Sequence, residues 1–225
     1  MPRTRRFIPI NSALYIMCRG NNKQNVFNND NDKLYYWHTL KELKEKNKIN
    51  IFHYCIMDNH VHLIVWISCV SNLPKFMKQL SLLYFNYYKK RYGYWGHICQ
   101  GRYKNNVIET AGYLLHCGKY IELNPVRAGI VNLPQDYIFS SYKYYSFGHP
   151  DDLISENPVF LGLADNYLER QKQYIKFVIN NDMINKDRLV RQTFIGSNDF
   201  VSKLRQYYNI KETNSKGGRP KKSKT

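Results

Sequence analysis

The sequence has no CxxC pair, and its five cysteines (Cys18, Cys55, Cys69, Cys99 and Cys117) are scattered and odd in number. That pattern argues against a disulfide framework and a zinc ribbon and fits a reducing cytoplasm. No stretch approaches the length of a membrane span. No apolar h-region follows the charged N-terminus, so no secretory leader is expected. No internal repeat is present. Acidic residues are scarce: 17 Asp and Glu stand against 34 Lys and Arg, for a net charge of +17. The first ten residues hold Arg3, Arg5 and Arg6 without an acid, and the last ten hold Lys216, Arg219, Lys221, Lys222 and Lys224 without one. Setting those eight aside leaves 26 basic against 17 acidic residues, so the excess is not confined to the ends. A polyanion is the natural partner of such a surface.

Aromatic residues accompany the charge. The chain has 20 tyrosines, and aromatics interleaved with Lys and Arg suit stacking on unpaired bases, although most are expected to serve packing. The stretch around which the rest is organised is Asp58-Asn59-His60-Val61-His62-Leu63-Ile64-Val65-Trp66. A strand alternates its side chains between faces, so His60 and His62 point one way while Val61 and Leu63 point the other. Two imidazoles side by side are poor core material and good ligands for a divalent metal. No third His or Cys lies at ligand spacing, which disfavours a zinc hydrolase. A ferredoxin-like RNA-binding module would have no use for the pair.

In chain order, residues 12–19 (SALYIMCR) read as a strand bounded by Gly20. Candidate N-caps at 28–32 precede a helix to about residue 46, with Leu34, Trp37, Leu40 and Leu43 at helical spacing. Residues 49–57 (INIFHYCIM) read as a second strand, which Asp58 and Asn59 turn into the histidine strand as a hairpin. A helix capped at Ser71 or Asn72 runs to Lys89, Lys90 and Arg91, where cations suit its C-terminal dipole. Residues 103–109 read as a short fourth strand. A third helix begins near Thr110, carries Tyr113, Leu114, Cys117, Tyr120 and Ile121, and must stop at Asn124 because Pro125 follows. Strand, helix, strand, strand, helix, strand is the split βαβ order. The fold class is therefore α+β: a ferredoxin-like antiparallel sheet with helices on one face, the other face open to nucleic acid, and a helical extension after it. The expected division is a domain over 1–150, the extension over 151–210, and a basic tail over 211–225 that lacks apolar residues and is expected to be disordered.

The segment Met57-Asp58-Asn59-His60-Val61-His62-Leu63 resembles the HUH motif of single-tyrosine transposases, and Tyr120-Ile121-Glu122-Leu123-Asn124-Pro125-Val126-Arg127-Ala128-Gly129 resembles the tyrosine segment of the branch associated with repetitive extragenic palindromes (REPs). Gly101-Arg102-Tyr103 and Ser140-Ser141-Tyr142 also match, and the resemblance covers about residues 5–147. Asp58 departs from the family, which commonly has proline there; the turn changes and no ligand is lost. The resemblance implies a nicking and strand-transfer enzyme of the bacterial cytoplasm, acting at the nucleoid. Its partner would be single-stranded or hairpin DNA, cleaved and rejoined through a 5′-phosphotyrosine link, with Mg²⁺ or Mn²⁺ as cofactor and no membrane involved. Monomer and homodimer both remain open. A domesticated protein that binds chromosomal palindromes without moving DNA is the alternative.

Carried onto this chain, the family's site has Tyr120 as the nucleophile and His60 and His62 as metal ligands. Asn124, four residues after Tyr120 and so on one helix face with it, is either a further ligand or a cap before Pro125. Tyr113 is the rival nucleophile. His116 is either an acceptor of the phenol proton or a packing residue. Glu122 faces elsewhere by helical spacing and is expected to make surface pairs. Candidate DNA contacts are Arg3, Arg5, Arg6, Arg19, Lys89, Lys90, Arg91, Arg102 and Arg127. The tail segment Gly217-Gly218-Arg219-Pro220-Lys221-Lys222 resembles an AT-hook core, which makes Arg219 a further candidate; a solvated tail is the other reading.

Overall fold

A continuous apolar run, buried on both faces from Ala13 to Ile16, makes the strand β1 (Ser12–Arg19), which lies in the middle of a five-stranded sheet. The computed structural model describes residues 6–109, 112–180 and 193–210; Arg3, Arg5, Thr110, Arg219 and the tail 211–225 lie outside the described residues. The chain continues through α1 (Asp30–Asn47), β2 (Ile49–Met57), β3 (His60–Ile67), α2 (Asn72–Tyr92) and β4 (Lys104–Ile108). Strand order is β2-β3-β1-β4-β5, and β1 to β4 pair antiparallel throughout. This is the ferredoxin-like arrangement, with α1 and α2 packed together as its two crossovers. Among the described residues no helix is long and apolar enough to cross a membrane.

Local chemistry sets the element ends. The Asn29 side chain accepts from the Asp32 amide to cap α1, a bond worth about 1 kcal/mol. Gly93 takes the left-handed conformation (φ 61°) that ends α2 after Lys89, Lys90 and Arg91. The β2–β3 hairpin closes over Asp58 and Asn59 with Met57 opposite His60. A bulge at Phe52, between the pairs Ile51–Val65 and His53–Ile64, changes the register. It sends Ile49 and Ile51 to the face under α1 and α2 while His53, Cys55 and Met57 keep the face that carries the histidines.

That second face is not open over β2 and β3. There α3 (Tyr113–Glu122) packs across both strands. The sequence gives one helix up to Asn124; instead α3 ends at Glu122, and after Leu123 a short α4 (Asn124–Arg127) follows with Pro125 in its first turn. Next come α5 (Tyr142–Phe147), α6 (Pro158–Leu161), α7 (Tyr167–Ile179), the two-residue strand β5 (Phe194–Ile195) and α8 (Asn198–Tyr207). The segment after residue 150 packs on what precedes it: α7 contacts α5, and β5 adds to the sheet in parallel with β4. Many tyrosines are structural. Tyr36 and Tyr84 are buried, and the Tyr87 and Tyr92 hydroxyls donate to the buried Asp32 carboxylate.

Candidate active site

His60 and His62 stand on the α3 side of β3, with ring centroids 4.6 Å apart and planes at 88°. The pairing with β1 sets Arg19 opposite His60 and Met17 opposite His62. Each imidazole is held through Nδ1: that of His60 donates to the Asn59 side-chain oxygen, and that of His62 lies 2.7 Å from the Tyr15 hydroxyl. His62 is buried. Desolvation, then the neighbouring His60, Arg127 and Arg19, hold its pKa well below 6.5, so it is neutral at physiological pH. In His60 the proton donated from Nδ1 to Asn59 leaves the lone pair on Nε2, the state a metal ligand requires.

The tyrosine of α3 comes to this pair. The Tyr120 ring centroid is 6.5 Å from that of His62, with the planes nearly perpendicular. Arg127, one turn beyond the break at Leu123, folds back so that its guanidinium carbon sits 4.0 Å above the Tyr120 ring. The guanidinium also donates to the Tyr120 carbonyl and, at 3.1 Å, to the Asn124 side-chain oxygen. Burial raises the Tyr120 pKa above 10.0, and the Arg127 charge pulls it back down. From the sequence Arg127 is one candidate phosphate contact among several; its position over Tyr120 depends on the turn at Leu123, which the sequence pattern does not disclose. Tyr15, also unanticipated, was foreseeable only as a β1 residue on the histidine face.

Among the described residues no group of three or more His, Cys, Asp or Glu is gathered to hold a metal ion. A cation here would therefore draw on His60, His62 and an amide. Asn124 would offer its side-chain oxygen, which here accepts from Arg127 at 3.1 Å; its Nδ2, buried without a hydrogen-bond partner, is a donor and suits a phosphate oxygen, not the cation. The donor set is compatible with a divalent ion that completes its shell with phosphate oxygens and water.

Other candidates separate. Tyr113 lies in the first turn of α3, seven residues or roughly 10 Å along the axis from Tyr120. His116 packs edge-on against Phe177, with centroids 4.8 Å apart, which is the packing reading. Glu122 does not make surface pairs. It is fully buried and accepts from His53, Ser141 and Tyr174, because α3 is enclosed by the sheet on one side and α7 on the other. Hydrogen bonds to a charged group contribute about 1.5–3 kcal/mol each, which offsets the cost of taking the carboxylate out of water.

The basic candidates spread over the surface. Arg19 is exposed beside His60. Lys89 lies 3.6 Å from the ring centroid of Trp95, which is 77% exposed. Arg91 pairs with Asp32 at 3.5 Å, and Arg6 stacks on Tyr103 at 3.7 Å. Lys90 is exposed near the end of α2, and Arg102 is exposed in the loop before β4.

A family model described as "Transposase IS200 like" matches residues 11–124. No curated protein matches the chain. Among solved structures, a REP-associated tyrosine transposase bound to a REP hairpin superposes with a TM-score of 0.52 at 19% identity, over 69% of this chain and 92% of that one. A protein from Deinococcus radiodurans R1, assigned as a transposase, gives a TM-score of 0.38 at 14% identity, over 58% of this chain and 92% of that one. The first of these is a likeness of fold.

Proposed function

The chain belongs to the family of IS200-like transposases, and from that premise we propose that it cleaves and rejoins single-stranded DNA at palindromic or hairpin repeats, with Tyr120 as nucleophile. The observation that carries this reading is the approach of the Tyr120 ring to within 6.5 Å of His62 beneath the Arg127 guanidinium. The hairpin class of substrate is taken from the structural relative, which is bound to a REP hairpin, and the net charge of +17 suits it. We take 1–150 as the nicking and strand-transfer domain, 151–210 as its helical extension and 211–225 as a basic tail.

The chemistry is a transesterification. The Tyr120 hydroxyl oxygen attacks a backbone phosphorus; the Tyr120–phosphorus bond forms as the bond to the 3′-oxygen breaks. The phenol gives up its proton and the leaving 3′-oxygen gains one. The product is a 5′-phosphotyrosine link and a free 3′-hydroxyl, and a second strand's hydroxyl reverses the step. Because the link conserves the phosphodiester, no nucleotide cofactor is needed. A phenol is a weak nucleophile until it ionises, and the Arg127 cation against the ring favours the ionised form. Tyr15 and Asn59 fix the orientation of the two imidazoles. Mg²⁺ or Mn²⁺ held by His60, His62 and Asn124 would orient the scissile phosphate and stabilise the charge that builds on it.

The test is the covalent adduct. With a 5′-extended single-stranded oligonucleotide and Mn²⁺, the wild-type protein is expected to give a slower-migrating band that resists SDS and is lost to protease. Tyr120→Phe should abolish that band while DNA binding survives, and Tyr113→Phe should keep it. A Tyr120→Phe band, or cleavage by the wild type without any adduct, would overturn the assignment. Binding of palindromic DNA with no cleavage under any metal condition would favour the domesticated alternative.

A further inference from the structure

Two residues beyond Tyr120, α3 ends in a carboxylate sealed from water. Glu122 accepts through Oε1 from Ser141 Oγ at 2.5 Å and from His53 Nδ1 at 3.0 Å, and through Oε2 from the Tyr174 hydroxyl at 2.6 Å. The protons in this cluster can be assigned. The Asn157 side-chain oxygen accepts from the Val159 amide at 2.9 Å, which fixes its orientation, so its Nδ2 donates to His53 Nε2 at 3.0 Å. Nε2 therefore carries no proton, and the single proton of His53 sits on Nδ1, donated to Glu122. The participants come from β2 (His53), α3 (Glu122), the residue before α5 (Ser141), the cap of α6 (Asn157) and α7 (Tyr174).

A second tether lies on the other side of the tyrosine. Lys119 is 1% exposed, and its ammonium donates to the Phe177 carbonyl at 2.8 Å and to the Asn180 carbonyl, at the end of α7. The residue before Tyr120 and the residue two after it are thus both tied to α7. Gly118 completes the contact, because only a residue without Cβ allows the His53 ring to lie against α3.

These groups do not touch DNA chemistry: Glu122, His53 and Tyr174 are fully buried. What they set is the orientation of α3. A ten-residue helix that breaks at Leu123 has little rigidity of its own. A 10° rotation about its axis moves a side-chain tip on its surface by about 1 Å, and a misplacement of about 1 Å can cost on the order of a hundredfold in rate. We propose that α7 is a socket that fixes the angle at which Tyr120 meets the histidine pair, with Glu122, Tyr174 and Lys119 as positioning residues. The proposal rests on the reading of Tyr120 as nucleophile, and it makes the segment after residue 150 part of the catalytic apparatus.

The full-length chain serves for the test. Tyr174→Phe removes one hydroxyl and keeps the ring against Tyr145 and Phe160; Lys119→Met cuts the second tether independently. Three quantities are read well below each variant's melting temperature: the rate of adduct formation at saturating oligonucleotide, the DNA dissociation constant, and amide exchange over residues 112–124. The expected result for Tyr174→Phe is a rate lower by about tenfold to a hundredfold, a dissociation constant within about twofold of wild type, and faster exchange over α3. A folded Tyr174→Phe protein that forms adduct at the wild-type rate overturns the proposal, even with a lowered melting temperature, since that is the signature of a tether that only stabilises. Where Tyr174→Phe does not fold, Lys119→Met decides by the same three measures. If the wild type forms no adduct, the nucleophile assignment falls, whereas the exchange measurement still reports separately on the tether.

Discussion

The Arg127 guanidinium stacks 4.0 Å above the Tyr120 ring while donating to the Tyr120 carbonyl, so the cation is bonded to the backbone of the residue whose ionisation it favours. Arg127→Met should retain the fold and slow adduct formation at saturating DNA by about a hundredfold to a thousandfold, the range for loss of one preorganised charge-stabilising group. Arg127→Lys keeps the charge without the planar fork and should fall between. The measurement is the rate at which the SDS-resistant band appears; a Met variant as fast as wild type would remove Arg127 from the chemistry.

Burial raises the pKa of Tyr120 above 10.0. Between about pH 7 and 9 the ionised fraction therefore grows up to about tenfold per unit, and the rate of adduct formation should climb without a plateau. The range has an upper limit set by stability. Tyr15, Tyr36, Tyr145 and Tyr174 have pKa values raised well above 10.0 by burial. Above pH 10 the unfolded chain releases phenolic protons that the native chain retains, so stability is lost as pH rises past that value. Absorbance at 295 nm followed with circular dichroism should show most phenols ionising together with unfolding. A rate that is flat from pH 7 to 9 would mean that proton loss from Tyr120 is not part of the limiting step.

Gly118 gives a packing prediction. A Cβ built there would lie 2.5 Å from His53 Cε1 and 2.6 Å from its Nδ1. The ring cannot retreat, because it stacks on Tyr145 with centroids 4.4 Å apart and is bonded to Glu122 and Asn157. Gly to Ala inside a helix ordinarily stabilises by up to about 1 kcal/mol; here overpacking should reverse the sign and cost about 1–3 kcal/mol. The control is Gly112→Ala, where an added Cβ meets nothing within 4 Å. Thermal melts of the two variants check the contrast, and equal melting temperatures would refute it.

What was legible in the sequence follows from how much each pattern is constrained locally. Ser12–Arg19 and Ile49–Met57 are visible as strands because apolar runs end at turn residues, and the histidine strand follows from a two-residue turn. The ferredoxin-like order follows from element succession. The misreadings all lie where tertiary enclosure overrides pattern. Glu122 reads as a surface residue on any helical wheel, yet α3 is enclosed on two sides, and no local signal announces α7 as its second wall. The open sheet face fails for the same reason. Arg127 reads as one cation among many, and only the break at Leu123 turns it onto Tyr120. A two-residue strand such as Phe194–Ile195 is too short to carry a period.

The last prediction concerns the metal. His60 and His62 are held by their Nδ1 atoms, His62 is kept neutral by burial, and the Asn124 side-chain oxygen lies within reach of Arg127. Two imidazoles and one amide make a weak set for an oxygen-preferring ion, so affinity for the free protein should be modest and should rise when DNA supplies phosphate oxygens. Cleavage is expected to require Mg²⁺ or Mn²⁺ and to vanish with excess chelator or with His62→Ala. Binding can be followed apart from activity by the electron paramagnetic resonance of Mn²⁺: wild type with a non-cleavable oligonucleotide should sequester the ion, His60→Ala and His62→Ala should not, and Asn124→Ala should do so more weakly. Asn124→Asp replaces the amide oxygen with a carboxylate and should tighten Mn²⁺ binding while disturbing the contact with Arg127. Undiminished cleavage in excess chelator would sink the metal assignment, and sequestration unchanged by both histidine substitutions would place any bound ion elsewhere.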